Sequence, residues 1–235
     1  MTKTLSALVV ILMGWFLPPV GGTTRPASGG DASLTPILDR MAGTLRRMQT
    51  LQATLSQQKA YTQLGLEDPP ERGILYAKRK PDGKFSIRVE IKVPDVRILT
   101  VKDNYFTFYQ PRINQVIEGS IDRYASRAAA GFLAYLLGGL SQAMEDYSIS
   151  VVGEETIQGR RTTHLTLMPK VNKKGLYRQV DLWIDHSVWL PTIQKFIEIN
   201  RDVTTLTLDE LKLNVKLPEN LFSQKLPSNV QRVKG

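Results

Sequence analysis

Cysteine is absent from this chain of 235 residues, which excludes disulfides, thiolate zinc sites, iron–sulfur clusters, thiol nucleophiles and a lipid-modified N-terminal cysteine. Histidine is nearly absent. With only His164 and His186, two in all, a histidine-rich metal site cannot be assembled. His164 alternates with Leu165 and Leu167 and faces away from them, while His186 ends a strand pattern at a turn, so both are expected at the surface. Asp185, His186 and Ser187 have the residue types of a hydrolase triad, but neighbours in an extended segment point to alternating sides and cannot converge on one bond. Asp181 and Asp185 share a strand face about 13 Å apart, too far for a paired-carboxylate site, and read as solvent-facing acids. GxGxxG after a strand, GxxxxGKS/T, HExxH and GxSxG are also missing. No enzyme, metal or cofactor is expected.

Long apolar runs are scarce too. The longest, Leu5 to Leu17, is broken only by Ser6 and Gly14 and is shorter than the ~20 residues that span a bilayer as a helix. Lys3 precedes it and Pro18-Pro19-Val20-Gly21-Gly22 follows, a pattern that reads as a secretory signal peptide over residues 1–22, with an uncleaved anchor as the alternative. Residues 23–33 are small and polar, a flexible lead-in. Residues 34–235 are expected to form a single domain, long enough to bury a sizeable core, with two small domains as the alternative.

Charge is not balanced. Lys and Arg number 31 against 22 Asp and Glu, a net charge of +9, which favours anionic neighbours. The basic residues are scattered in short groups (Arg46-Arg47, Lys78-Arg79-Lys80, Arg160-Arg161, Lys173-Lys174) with no recognition motif beside them, so a solvated basic surface is expected and nucleic acid is not. Tyr105-Phe106-Thr107-Phe108-Tyr109 would serve as a base-stacking platform only inside a basic groove, and reads better as core or pocket lining.

The chain does have clear periodicity. Leu38, Met41, Leu45 and Met48 recur at helical spacing behind Thr35-Pro36, which predicts an amphipathic helix capped by Thr35 with Pro36 first. After Gln49 the period becomes two, with Leu51, Ala53 and Leu55 in phase. Short strands bounded by turn residues follow over 74–78, 85–91, 96–101, 105–109 and 113–118, and a second series runs over 148–154, 163–168, 179–185, 192–200 and 203–215. The connections are too short for parallel crossovers. In the last strand the apolar phase shifts from Leu206 and Leu208 to Leu211 and Leu213, which predicts a bulge near Asp209-Glu210. Between the series, residues 121–145 place Phe132, Leu133, Leu136, Leu137, Leu140 and Met144 on one helical face, interrupted by Gly131, Gly138 and Gly139. That segment reads either as a core helix or as a movable lid. About ten antiparallel strands with two helices give an α+β fold whose sheet is strongly curved. Phe85, Ile87, Val89, Phe106 and Phe108, with Leu182 and Ile184, are expected to line an apolar space on its concave face.

The helix running into Leu51-Gln-Ala-Thr-Leu-Ser-Gln-Gln58, the hairpin Gly73-Ile-Leu-Tyr-Ala-Lys-Arg-Lys-Pro81, and Lys102-Asp-Asn-Tyr-Phe-Thr-Phe-Tyr-Gln-Pro111 together resemble the LolA family of periplasmic lipoprotein carriers. Leu213-Asn-Val-Lys-Leu-Pro-Glu-Asn-Leu-Phe222, followed by Pro227 and Val230, resembles its closing strand and C-terminal segment. The resemblance implies a half-open antiparallel β-barrel whose helices form a lid over a cavity for lipoprotein acyl chains. It also implies a monomeric periplasmic carrier that meets an inner-membrane release complex and an outer-membrane acceptor. Relatives in the family bind other lipophiles or sense envelope stress, and a packed interaction module is a further alternative. Arg79 matches the arginine that locks the lid in the empty state. Here Lys80 stands between it and Pro81, which makes Lys78 and Lys80 neighbouring candidates.

Overall fold

The structure, a computed structural model, describes residues 31–120, 144–171 and 177–235. It opens with helix α1 (Asp31–Arg47), which turns Leu38 and Met41 inward, and Met48 just past its end is buried too. The expected Thr35 cap is not its start: the helix begins at Asp31 and contains Pro36. Pro36 stands past the first turn and cannot donate the bond to the carbonyl four residues earlier, a cost that the inward packing of Leu38 and Met41 offsets.

Among the described residues thirteen strands form one sheet: β1 (Thr50–Tyr61), β2 (Leu66–Glu67), β3 (Glu71–Arg79), β4 (Phe85–Val93), β5 (Arg97–Lys102), β6 (Tyr105–Gln110), β7 (Gln115–Ser120), β8 (Tyr147–Ile157), β9 (Arg160–Pro169), β10 (Tyr177–Asp185), β11 (Leu190–Glu198), β12 (Val203–Leu213) and β13 (Gln231–Lys234). Their order is β13-β7-β6-β5-β4-β3-β1-β12-β11-β10-β9-β8, with β2 hydrogen-bonded to β1. The sheet is curved and unclosed: the α+β fold with a strongly curved sheet that the pattern predicts, and the half-open barrel that the resemblance implies, are its architecture. The inserted helix expected over 121–145 lies, but for its last two residues, outside the described residues.

Local chemistry fixes the register. The β5–β6 turn uses Asp103 and Asn104 at φ 51° and 63°, and the β8–β9 turn uses Gln158 and Gly159 at φ 50° and 75°, the left-handed pairs that a two-residue hairpin demands. The expected bulge is present: the β1–β12 register slips between Gln52↔Lys212 and Thr54↔Asp209, with Glu210 at φ 50°. At Gly73 the backbone of β4 passes so close that a Cβ would meet the Glu90 carbonyl oxygen at 1.9 Å. Only glycine fits there.

Two strands were not legible. β2 is two residues long, and β13 joins β7 in parallel, unlike the expected all-antiparallel order. All four residues of β13 are exposed, so no apolar alternation announces it. A long connection lets it arrive in parallel orientation. That connection crosses the outside of the sheet, where Arg88 Nη1 donates to the Leu221 carbonyl at 3.1 Å and Gln224 Nε2 donates to those of Ile98 and Thr107 at 3.2 and 2.9 Å.

Candidate functional site

Because side chains alternate across a strand, one phase of every strand shares the concave face. Leu51, Ala53 and Leu55 of β1 stand opposite Ala77, Leu75 and Gly73 of β3. The same row continues through Ile87, Val89 and Ile91 of β4 to Val101, Leu99 and Arg97 of β5, then to Phe106 and Phe108 of β6. On the other wing Leu206 opposes Gln194, which opposes Leu182, which opposes Leu165. All seven residues expected to line an apolar space, Phe85, Ile87, Val89, Phe106, Phe108, Leu182 and Ile184, fall in one buried cluster, together with Leu38 and Met41 of α1 and Met48 just after it. Of the expected lid residues, Phe132, Leu133, Leu136, Leu137 and Leu140 lie outside the described residues. Met144 is described. Its side chain is 47% exposed, and its carbonyl accepts a bond from Lys170 Nζ at 2.8 Å.

Arg79, the last residue of β3, reaches the C-terminus of α1. Its Nε donates to the Met48 carbonyl at 2.9 Å, Nη2 to the Leu45 carbonyl, and Nη1 back to the Gly83 carbonyl at 2.8 Å. The guanidinium lies 4.4 Å over the Phe85 ring, so the cation that satisfies the helix end also covers an aromatic of the concave face. Its basic neighbours are engaged elsewhere: Lys78 pairs with Glu219 at 2.8 Å, and Lys80 with Asp82 and Asp103 at 3.0 and 2.8 Å. The hydrogen bond from Lys80 holds both carboxylates below their ordinary range.

The far end of the concave face is polar, which the sequence reading missed. Gln57 and Lys59 continue the phase of Leu51, Ala53 and Leu55, and Glu71 stands opposite Gln57. Lys59 Nζ lies 2.6 Å from Glu198 Oε1 and 3.7 Å from Asp202 Oδ2, and Arg97 Nη2 lies 2.7 Å from Glu71 Oε1. Nearby, Tyr61 donates to Asp68 Oδ2 at 2.9 Å. Burial, reinforced by that bond, pushes the Tyr61 phenol up to about 12. The signal was present: a glutamine and a lysine at inward phase contradict a purely apolar face.

On the convex face the expected surface groups are partly covered. His164 does face away from Leu165 and Leu167, yet its side chain is only 15% exposed. Its ring stacks 4.3 Å from that of Trp183, between Glu155 at 3.4 Å and Asp181 at 3.3 Å. Asp181 and Asp185 are buried, not solvent-facing. Asp181 accepts from Gln179 Nε2 and from the Thr166 hydroxyl, and Asp185 accepts from the Ser187 amide and hydroxyl at 2.8 and 2.6 Å. The Ser187 hydroxyl thus bonds Asp185, while His186 Nε2 lies 2.7 Å from the Thr163 hydroxyl. No triad geometry exists there.

A sequence profile of the family described as "Outer membrane lipoprotein carrier protein LolA" matches residues 46–225. An uncharacterized protein of Methanocaldococcus jannaschii is 26% identical over 151 residues, which are 63% of this chain and 39% of that relative; the chain therefore spans well under two thirds of its length. Among solved structures, an uncharacterized conserved protein from Thermus thermophilus superposes with a TM-score of 0.57 at 17% identity, covering 86% of this chain and 99% of that one. MucB superposes with a TM-score of 0.55 at 16% identity, covering 86% of this chain and 66% of its own. For the Pseudomonas aeruginosa MucA/MucB complex the values are 0.50, 15%, 81% and 60%. At these identities the likeness is one of fold.

Proposed function

Because the chain belongs to the LolA family of outer membrane lipoprotein carriers, we propose that it shields the acyl chains of lipoproteins against its concave face and delivers them toward the outer membrane. The observation that carries this reading is the single apolar cluster joining both wings of an unclosed sheet to the inner side of α1. Each buried methylene gains about 0.8 kcal/mol, so an acyl chain crosses water only inside such a surface. An open sheet covered by a helix has the adaptability to admit it. No catalytic step is required.

In this reading residues 34–235 are one binding domain behind a leader over 1–22 and a lead-in over 23–33, and the protein works in the periplasm. An inner-membrane release complex hands cargo to it, and an outer-membrane acceptor takes it. Arg79 holds the helical cover in the empty state, and its bonds to the α1 carbonyls support that role. Native mass spectrometry of the full chain purified from its own envelope tests the proposal. A co-purified acylated peptide is expected. A bound free lipid without peptide would replace lipoprotein by another lipophile, and no acylated ligand at all would overturn the carrier reading.

A further inference from the structure

The concave face is not uniform, and its polar end has groups without a hydrogen-bond partner among the described residues. Gln57 is 1% exposed, and neither its Oε1 nor its Nε2 has a partner among the described residues. Gln194 is equally buried. Its Oε1 has no partner among the described residues, and its Nε2 reaches the Pro191 carbonyl only at 3.4 Å. The two glutamines flank Leu206 from β1 and β11 in one inward row. Arg97, 4% exposed, uses Nη2 on Glu71 at 2.7 Å while its Nη1 has no partner among the described residues. Buried amides and guanidinium protons without partners cost stability. Three such residues stand toward one end of the same face, with donors and acceptors that a bound group could meet.

Charge and donor inventory define that group. Lys59 and Arg97 face Glu71, Glu198 and Asp202, two cations against three anions. The surplus negative charge disfavours a phosphate or a fatty carboxylate. Gln57 Nε2 and Arg97 Nη1 can donate, and the Oε1 atoms of Gln57 and Gln194 can accept, so the complement is neutral and has a carbonyl and a hydroxyl or N–H. Such a group occurs where an acyl chain is joined by an ester or amide to a polar backbone. Gln57 is one inward step, about 7 Å along β1, beyond Leu55, where the apolar lining begins.

We propose that Gln57 and Gln194, with Arg97 held beside them by Glu71, bind the neutral ester or amide linkage of an amphiphile whose hydrocarbon chain lies along the apolar part of the same face. The inference rests on the reading of the concave face as a lipid site, and the probes separate the two. The full-length protein is titrated with monooleoylglycerol, which has an ester and free hydroxyls, with oleate, and with hexadecane, which has only a chain. Wild type is expected to bind monooleoylglycerol more tightly than oleate. Q57L/Q194L, which replaces both amides by apolar groups of comparable size, is expected to lose about tenfold in affinity for monooleoylglycerol, the worth of one such hydrogen bond, with hexadecane binding unchanged or tighter. An equal change for the two probes would make the glutamines mere packing and overturn the inference. Failure of wild type to bind any of the three would overturn the lipid site itself, and the inference with it. Should the variant not fold, the Gln57 side-chain amide resonances of wild type decide: they shift with monooleoylglycerol but not with hexadecane if the linkage binds there, and identical responses reject it.

Discussion

Arg79 and Met48, a strand end and a helix end, are joined by a 2.9 Å bond from Nε to the Met48 carbonyl, and Nη2 of the same guanidinium takes the Leu45 carbonyl one turn earlier. A helix C-terminus exposes carbonyls that no intrahelical donor can satisfy. Here a rigid planar cation from the sheet satisfies two of them, so β3 helps hold the C-terminal end of α1 against the sheet.

Loss of that fork should loosen the helix more than the sheet. Arg79→Leu is expected to lower unfolding free energy by about 2 kcal/mol, given that bonds from a charged donor are each worth about 1.5–3 kcal/mol before relaxation. Amide exchange at residues 45–49 should accelerate while exchange in β4 stays slow. Arg79→Lys should recover less than half of the loss, because an ammonium does not reproduce the fork. Unchanged exchange at residues 45–49 would mean that α1 is held by its apolar side alone.

A charge placed within the apolar lining should block a hydrophobic ligand. Ile87, 9% exposed, lies in β4 between Ala77 and Val101. Ile87→Glu is expected to reduce binding of a fluorescent apolar probe at least about tenfold, whereas Lys84→Glu at the exposed turn should leave it intact. A folded Ile87→Glu protein with wild-type probe affinity would remove β4 from the binding face.

Where the sequence was legible, strand phase and turn chemistry agreed. Leu51, Ala53 and Leu55 announced β1, and the phase shift after Leu208 located the bulge that Glu210 makes at φ 50°. Where it was not, a competing interaction outweighed the local signal. Pro36 marked a helix start that propagation past it overrode. β13 is held by backbone bonds to β7 with every residue exposed, so apolar period says nothing of it. Gln57 and Lys59 sit in the inward phase, but a polar residue carries no apolar period and so does not show there. Asp181, with Gln179 and Thr166 as donors, is buried on the face where acids were expected to meet water.

Lys59 is the cation that makes the polar end possible. Its side chain is 6% exposed and lies between Glu198 and Asp202. Lys59→Met would leave two carboxylates without their counterion, and removal of one partner of a buried pair costs about 3–5 kcal/mol. Denaturant unfolding should show a loss of that order, partly recovered by Glu198→Leu in the same chain. Lys80→Met, which removes the exposed clamp to Asp82 and Asp103, should scarcely move the midpoint. Equal effects of the two substitutions would deny the Lys59 cluster any special weight.

The Tyr61 phenol gives the polar end an alkaline signature. It donates to Asp68 Oδ2, and burial first, then Asp68, then the charges of Asp202 and Glu198 raise its pKa from 10.0 to about 12. The neutral phenol is the favoured form in the folded state, and the unfolded chain ionises earlier. Its contribution to stability is therefore complete below the unfolded value of 10.0 and is lost as pH rises toward about 12. Tyr61→Phe should cost about 1 kcal/mol at neutral pH, the net worth of the bond to Asp68, and should then decline less steeply than wild type through that alkaline window. Ultraviolet titration gives the direct measurement: subtracting the variant from wild type isolates one phenolate, which should appear late, near the upper end of the window. A difference curve centred at the ordinary tyrosine value would show that Tyr61 is solvated, and with it that the rim of the polar end is open to water.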